Sequence, residues 1–419
     1  MAYNMNKIDK LINELCPEGV EFKELWEVTA WDKRFNAVDN KKQKKILSFN
    51  HISSKDLKDL EAENGNIKLL ATGKFDGWTT EELAGENLNE GEVISIPSGG
   101  SASIKYFKGK FVDSGNILAS SINDEILNLK YCYYFLLIKN ELIESCFRGA
   151  GVKHPNMTEI LKIKIPLPPL PIQKEIVKIL DNFTELEAEL EAELEARKKQ
   201  YGYYREELLT FGDEVEFKMI KELFDFKNGL NKGKEFFGKG TPIVNFTDVF
   251  KKRSLSLIDL NGKVEVTSKE KLLYGAQKND IFFTRTSETK EDIGMVSALL
   301  DDVEGCVFSG FVLRARPKTN LLNPKFCSYY LTSFSARKEI IRNSTFTTRA
   351  LISGPKLSKI KIPLPPLKEQ TRIVKILDKF DALVNDISIG LPAELKARRK
   401  QYEYYREKLL TFKEKIKEE

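Results

Sequence analysis

Methyl transfer, nucleotide hydrolysis and phosphodiester cleavage each demand a short residue constellation at fixed spacing, and this sequence holds only near-misses to them. Methyl transfer to a base needs a glycine-rich cofactor loop and an Asn/Asp-Pro-Pro-aromatic turn. Pro-Pro occurs only behind Leu167 and Leu364, where no amide or carboxylate stands, and no G-x-G-x-x-G is present. Gly149-Ala-Gly151 lacks the third glycine and a preceding strand, and reads as a surface turn. The stretch Gly233-Lys-Glu-Phe-Phe-Gly-Lys239-Gly240 has phosphate-loop spacing. Gly240, however, replaces the hydroxyl that would hold magnesium, and two phenylalanines replace the free N–H cradle. Glu21-Phe-Lys23 is a chance E-x-K with no acidic partner at nuclease spacing. Neither histidine has a Ser, Cys or Asp ensemble to activate. His51 follows an expected strand and reads as structural. His154, in the polar loop Arg148-Gly-Ala-Gly-Val-Lys153-His154, suits a nucleic-acid contact or a plain turn equally. The cysteines Cys16, Cys132, Cys146, Cys306 and Cys327 are odd in number and lack C-x-x-C spacing, which implies reduced thiols rather than zinc or disulfides. The expectation is therefore no catalytic residue, no metal and no cofactor.

What remains is recognition chemistry, in loops where small, polar and basic residues mix. Ser98, Ser101 and Lys105 follow one strand-like run. Arg285, Thr286, Ser287 and Lys290 follow another at an equivalent place. Arg148, Lys153 and His154 are matched by Arg342, Thr347 and Arg349 further along. Arginine and lysine suit guanine edges and phosphates, while serine and threonine adapt to either. The runs Lys41-Lys-Gln-Lys-Lys45 and Lys251-Lys-Arg253 would at best meet phosphates, and solvated turns explain them as well.

These loops belong to a chain written twice. Lys162-Ile-Lys-Ile-Pro-Leu-Pro-Pro-Leu170 returns as Lys359-Ile-Lys-Ile-Pro-Leu-Pro-Pro-Leu367, and AELEARKKQYGYYREELLTF from Ala192 returns as AELKARRKQYEYYREKLLTF from Ala393. A weaker echo links Val20-Glu-Phe-Lys23 to Val215-Glu-Phe-Lys218. The prolines make a stiff connector in each half. Beyond them apolar residues step by three and four: Ile172, Ile176, Ile179 and Phe183 onward in the first copy, Ile373, Ile376, Phe380, Leu383 and Ile387 onward in the second. Such a seam predicts long helices of ~40 residues and ~60 Å that pack on each other. Gly390 and Pro392 interrupt the second, predicting a kink or restart there. The globular blocks mix strand runs such as Glu92–Pro97 and Asp280–Thr284 with aromatic helical pieces at Tyr131–Ile138 and Cys327–Leu331. The length of 419 residues suits two or three domains. With 67 Lys+Arg against 62 Asp+Glu, the net charge of +5 leaves any nucleic-acid surface to local arrangement. No apolar run is long enough to span a membrane, and the chain is expected in the cytoplasm.

Two variable blocks, each closed by I-P-L-P-P-L and a helix ending in Y-Y-R-E-x-L-L-T-F, resemble the type I restriction-modification specificity subunit over essentially the whole chain. The resemblance implies an α+β fold with two mixed α/β target-recognition domains, separated by two long helices that form an antiparallel coiled coil with pseudo-twofold symmetry. It places the first recognition domain and a short N-terminal helix in 1–165, the first connector and spacer helix in 166–212, the second recognition domain in 213–362, and the second connector and helix in 363–419. It implies reading of a split, asymmetric site in double-stranded DNA, with no chemistry of the subunit's own. The spacer helices, through Ile176, Leu180, Tyr204, Leu208, Ile373, Leu377, Tyr405 and Leu409, would hold two modification (methyltransferase) subunits, and restriction subunits would join through those. A lone enzyme, a pure protein scaffold and a free-standing regulator are the competing readings. Symmetry further predicts that Ile8–Leu15 packs near the end of the second helix. The tetrads Glu185-Leu-Glu-Ala188, Glu189-Leu-Glu-Ala192 and Glu193-Leu-Glu-Ala196 suggest a helical ruler. Phe183 to Leu194 is one tetrad shorter than its counterpart Phe380 to Leu395.

Overall fold

The computed structural model describes residues 2–386 and 388–416, with side chains from residue 7 onward, so Ile387 of the expected seam lies outside it. The chain divides into two compact units, Met1–Leu190 with Leu395–Glu419, and Glu191–Glu394. The helices that frame them are α1 (Ala2–Leu15), α2 (Leu129–Ile138), α3 (Leu170–Leu208), α4 (Pro324–Leu331), α5 (Phe334–Asn343), α6 (Leu367–Asn385) and α7 (Leu391–Leu409).

The first unit holds a sheet of β1 (Thr29–Trp31), β2 (Ile67–Leu70), β3 (Asp76–Thr79), β4 (Asn89–Ile96), β5 (Lys105–Asp113) and β6 (Ile117–Ser121), in the order β1-β6-β4-β5-β2-β3. Only β2 and β5 run parallel. The β-branched end of β4 is buried, as its composition favours, and packs with Trp31 and Ile117 under Tyr131 and Phe135 of α2. A short hairpin, β7 (Phe147–Arg148) and β8 (His154–Pro155), follows.

The second unit repeats the plan with β9 (Phe224–Asn228), β10 (Ser254–Leu255), β11 (Ile281–Thr284), β12 (Thr286–Ser287), β13 (Val296–Leu299), β14 (Val312–Pro317), β15 (Thr345–Phe346) and β16 (Ala350–Leu351). Its main sheet runs β9-β14-β11-β13-β10, again with one parallel pair, β10 and β13. Strand for strand this is the order β1-β6-β4-β5-β2 of the first unit. A separate three-stranded sheet built on Phe237–Val244 is an addition particular to the second unit.

The sequence echoes become contacts. Glu21–Glu24 pairs antiparallel with Lys164–Leu167, and Phe217–Met219 with Lys361–Pro363, so Phe22 faces Pro166 and Phe217 faces Pro363. A two-stranded ribbon leaves one side of each strand unladdered, which is where proline is tolerated.

Each unit also owns a helix pair. In the first, Ile176, Leu180 and Phe183 of α3 share a core with Leu409 and Leu410. Phe183 stacks on Tyr405 at 5.6 Å between ring centroids, and Glu187 pairs with Arg399 at 2.6 Å. Partner numbers fall as those of α3 rise, so the pair is antiparallel. In the second unit Leu194, Tyr201 and Leu209 share a core with Ile373, Leu377 and Val384 of α6. Ile8 of α1 is buried in the first unit beside Leu409 and Leu410, whereas Leu15 is exposed. Val20 N–H donates to the Lys413 carbonyl and Lys415 N–H to that of Val20, both at 2.9 Å.

The second long helix is broken where its composition requires. It stops at Asn385 and restarts at Leu391, with Pro392 in the first turn, where a missing N–H costs nothing. A Cβ on Gly390 would run into the Ala382 carbonyl oxygen and lie 2.6 Å from that of Leu383, so only glycine fits.

Candidate nucleic-acid interface

In the second unit the register Asn228↔Leu313, Thr284↔Val312 and Phe283↔Val296 brings one end of β9, β11, β13 and β14 to a common sheet edge. The chain leaves β11 there and forms β12, which pairs with β16, itself paired with β15. Arg285, Thr286, Ser287 and Lys290 are thereby laced to the hairpin that carries Thr347 and Arg349. Lys290 lies over the Phe346 ring at 5.3 Å, and exposed Arg349 pairs with exposed Glu288 at 3.1 Å. Thr347 is exposed at the hairpin tip, its N–H donating to the Arg349 carbonyl. Arg342, near the end of α5, is exposed just upstream and lies 3.8 Å from Glu339. Arg285 is turned inward: its guanidinium donates to the Gly310 carbonyl at 2.9 Å.

The first unit builds the same device from different residues. The loop after β4 meets the β7–β8 hairpin: Ser98 O accepts from His154 Nδ1 at 2.7 Å, and Gly100 N–H donates to Lys153 O at 2.8 Å. Arg148 faces His154 across the hairpin. Gly99 allows this approach, since a Cβ there would sit 2.9 Å from Val152 Cγ1. Ser101, Arg148, Lys153 and His154 are exposed and Ser98 is half-buried. Lys105 stands apart. Its ammonium donates to the Ala71 and Gly73 carbonyls, each at 2.7 Å, and desolvation lowers its pKa. It braces the loop after β2 and keeps one N–H.

Each unit thus offers a rigid edge of hydroxyls, exposed cations and backbone polar groups, the donor set that meets phosphates and base edges. Among the described residues no cluster of three or more His, Cys, Asp or Glu is disposed to hold a metal ion. No helix among them is long and apolar enough to cross a membrane.

Of the spacer residues, Ile176, Leu180, Ile373, Leu377 and Leu409 are buried inside their own units. Leu208 packs against the second core, Tyr405 stacks on Phe183, and Tyr204 stacks on Phe380 at 5.9 Å while 40% exposed. The outward tyrosines of the repeated motif are Tyr203 and Tyr404, at 67% and 61% exposure.

Three residue sets escaped the sequence reading. Gln173 is fully buried, accepting from Asn128 N–H and donating to the Ile126 and Pro168 carbonyls, all at 2.8 Å. Gln370 repeats this with Asn323, Leu321 and Pro365. Asp181 accepts from Lys130 and Tyr134, as Asp378 does from Lys325 and Tyr329. These two devices fix each connector helix to the globular block of its own half. Their signal was the repeat: each of these residues recurs at the matching place in both halves. His51 is the third. Its Nδ1 lies 2.7 Å from Asp113 Oδ2 and its Nε2 2.9 Å from Asp32 Oδ2, both carboxylates without exposed surface. The hydrogen bonds that the imidazole makes to Asp113 and then Asp32 raise its pKa to about 9, so a charged clamp joins the sheet to the connection between β1 and β2.

Comparison with known proteins adds an independent line. The family profile described as Type I restriction modification DNA specificity domain matches residues 38–196 and again 212–397. The chain is 35% identical over 327 residues to the Escherichia coli EcoR124I/EcoR124II type I restriction enzyme specificity subunit, covering 73% of this chain and 76% of that protein. It is 33% identical over 350 residues to a putative type I restriction enzyme specificity subunit of Haemophilus influenzae, covering 77% and 84%. In fold it is similar to the crystal structure of a type I restriction-modification S subunit from M. genitalium, with a TM-score of 0.57 at 16% identity over 94% of this chain and 96% of that one.

Proposed function

The chain belongs to the type I restriction-modification DNA specificity family, with two specificity domains in tandem, and from this premise we propose that each domain reads one half of a split, asymmetric site in double-stranded DNA. As a specificity subunit it contributes recognition and leaves the chemistry to its partners. In the first domain (1–165) the reading set is Ser98, Ser101, Arg148, Lys153 and His154, with Lys105 bracing the loop beside them. In the second (213–362) it is Thr286, Ser287, Lys290, Arg342, Thr347 and Arg349, with Arg285 at their base. The connector and helix segments 166–212 and 363–419 hold the domains and dock two modification subunits, through which restriction subunits join, in the cytoplasm. Because Ile176, Leu180, Ile373, Leu377 and Leu409 are already buried, docking falls to outward positions such as Tyr203, Tyr204 and Tyr404. One observation carries the reading: two units with the same strand order each present a loop laced to a hairpin at the same sheet edge.

The test is a block exchange. Replacing residues 20–165 with the corresponding block of another family member, expressed with the modification subunits, is expected to change one half of the methylated sequence and leave the other intact. If both halves changed, the two domains would not read independently.

A further inference from the structure

Among the described residues the reading edge of the second unit carries three exposed large apolar side chains, Phe346 and Leu351 on the hairpin and, most exposed, Phe311 in a turn that no periodicity accounts for. Phe311, in the turn between Val307–Phe308 and β14, is 66% exposed. Its backbone is bolted down from several sides. Arg285 N–H donates to the Phe311 carbonyl at 3.1 Å, and the Arg285 guanidinium donates to the Gly310 carbonyl at 2.9 Å. Gly310 N–H donates to Leu230 O at 2.8 Å, and Phe311 N–H to Ser309 Oγ at 3.3 Å. Gly310 has no room for a side chain, because a Cβ would strike the Asn231 amide. Ile352 N–H donates to the Arg285 carbonyl at 3.0 Å, which ties the turn to the hairpin bearing Arg349.

A mobile loop can fold over an apolar side chain and hide it. A turn held this way cannot, so the ring stays in water unless something covers it. Its surroundings select the cover. The same edge carries the Thr286 and Ser287 hydroxyls and the Lys290 and Arg349 cations, a set matched to a phosphate-flanked groove rather than to an apolar protein face.

We propose that Phe311 reads the second half-site by apolar contact, its ring entering a groove of duplex DNA against the bases, and that Arg285 is the positioning residue that aims it. Aromatic and aliphatic side chains serve in this way against thymine methyl groups and between base steps. The inference rests on the proposed reading of DNA by this domain.

The experiment compares wild type, Phe311→Ala, Phe311→Leu, Arg285→Ala and the double variant Phe311→Ala/Arg285→Ala. Each is assembled with the modification subunits and titrated with target duplex and with a duplex scrambled only in the second half-site. Phe311→Ala is expected to keep the wild-type melting transition, since the ring is exposed, and to lose about tenfold in affinity for the target while binding the scrambled duplex unchanged. Phe311→Leu should recover part of the loss. Because Arg285 acts through the turn, the double variant should bind no worse than Phe311→Ala alone. Target affinity unchanged in Phe311→Ala, beside a wild type that discriminates the two duplexes, would overturn the role of Phe311. A double variant markedly weaker than Phe311→Ala would overturn the positioning role and make Arg285 a direct contact. A wild type that does not discriminate at all would instead sink the DNA-reading function itself.

Discussion

At the scale of single residues, the groups that matter most for geometry are polar side chains kept out of water. Gln370 shows no exposed surface and spends its whole amide on the Asn323, Leu321 and Pro365 backbones, at 2.7, 2.9 and 2.8 Å. Truncation would leave buried backbone groups unpaired. Gln370→Ala is therefore expected to destabilise the chain by ~2–3 kcal/mol in denaturant unfolding, with Gln370→Glu failing to restore it because a carboxylate cannot donate twice. His51 makes a different prediction. Its folded pKa of about 9 lies above the unfolded value of 6.5, so its contribution is complete below the unfolded value and disappears as pH rises through about 9. The melting temperature should fall between those two limits, and His51→Gln should flatten that part of the profile. A wild-type profile as flat as the variant's would mean that the Asp32–His51–Asp113 clamp contributes nothing.

Among elements, α3 holds the most consequential segment. The three Glu-Leu-Glu-Ala tetrads lie in its middle, and the division between units falls inside them, between Leu190 and Glu191. Leu186 is 41% exposed, so the first tetrad carries little buried surface, whereas Leu194, 8% exposed, anchors the last tetrad in the second unit's core. Four residues advance a helix by ~6 Å and turn it ~40° past a full turn. One base pair turns B-DNA by roughly 35°. Deleting Glu189–Ala192 is expected to keep both half-sites and shorten the gap between them by about one base pair. Genome-wide methylation mapping in a strain carrying the deletion reads this directly. An unchanged gap would reduce the tetrads to ordinary helix. The rise of one pair, ~3.4 Å, is smaller than that of a tetrad, which an inclined helix accommodates.

For the whole molecule, charge is the property that sequence totals describe least well. The net charge of +5 is small, and two cations at the candidate edges are already engaged: Arg285 with Gly310, Lys105 with Ala71 and Gly73. Arg148 and Lys153 remain exposed at the first edge. If both meet phosphates, the double variant Arg148→Ala/Lys153→Ala should reduce the slope of log affinity against log salt by ~2, at ~0.9 per phosphate, without changing the sequence methylated. A changed target would make one of them a base reader instead. The slope is measured by titrating the assembled complex with target duplex at increasing salt.

Sequence alone determined the features that are local or repeated. The tandem plan, the connector prolines, the helical seam and the break at Gly390–Pro392 follow from period, from proline's missing donor and from glycine's missing side chain, none of which needs a distant partner. The pairing of candidate loops was also legible, because Ser98–Ser101 and Arg285–Lys290 follow matching strands. What only the tertiary structure decided was the use of each polar group. Lys105 and Lys153 look alike in a list of basic residues, yet one ends on the carbonyls of a loop more than thirty positions away and the other in solvent. Gln173 and Gln370 were invisible as locks, since their partners lie about 45 residues upstream and burial is what gives those bonds their weight. Phe311 was unremarkable until the turn beneath it was seen to be fixed. Spacing along a chain determines which elements form; distances across it determine which side chains are left to act.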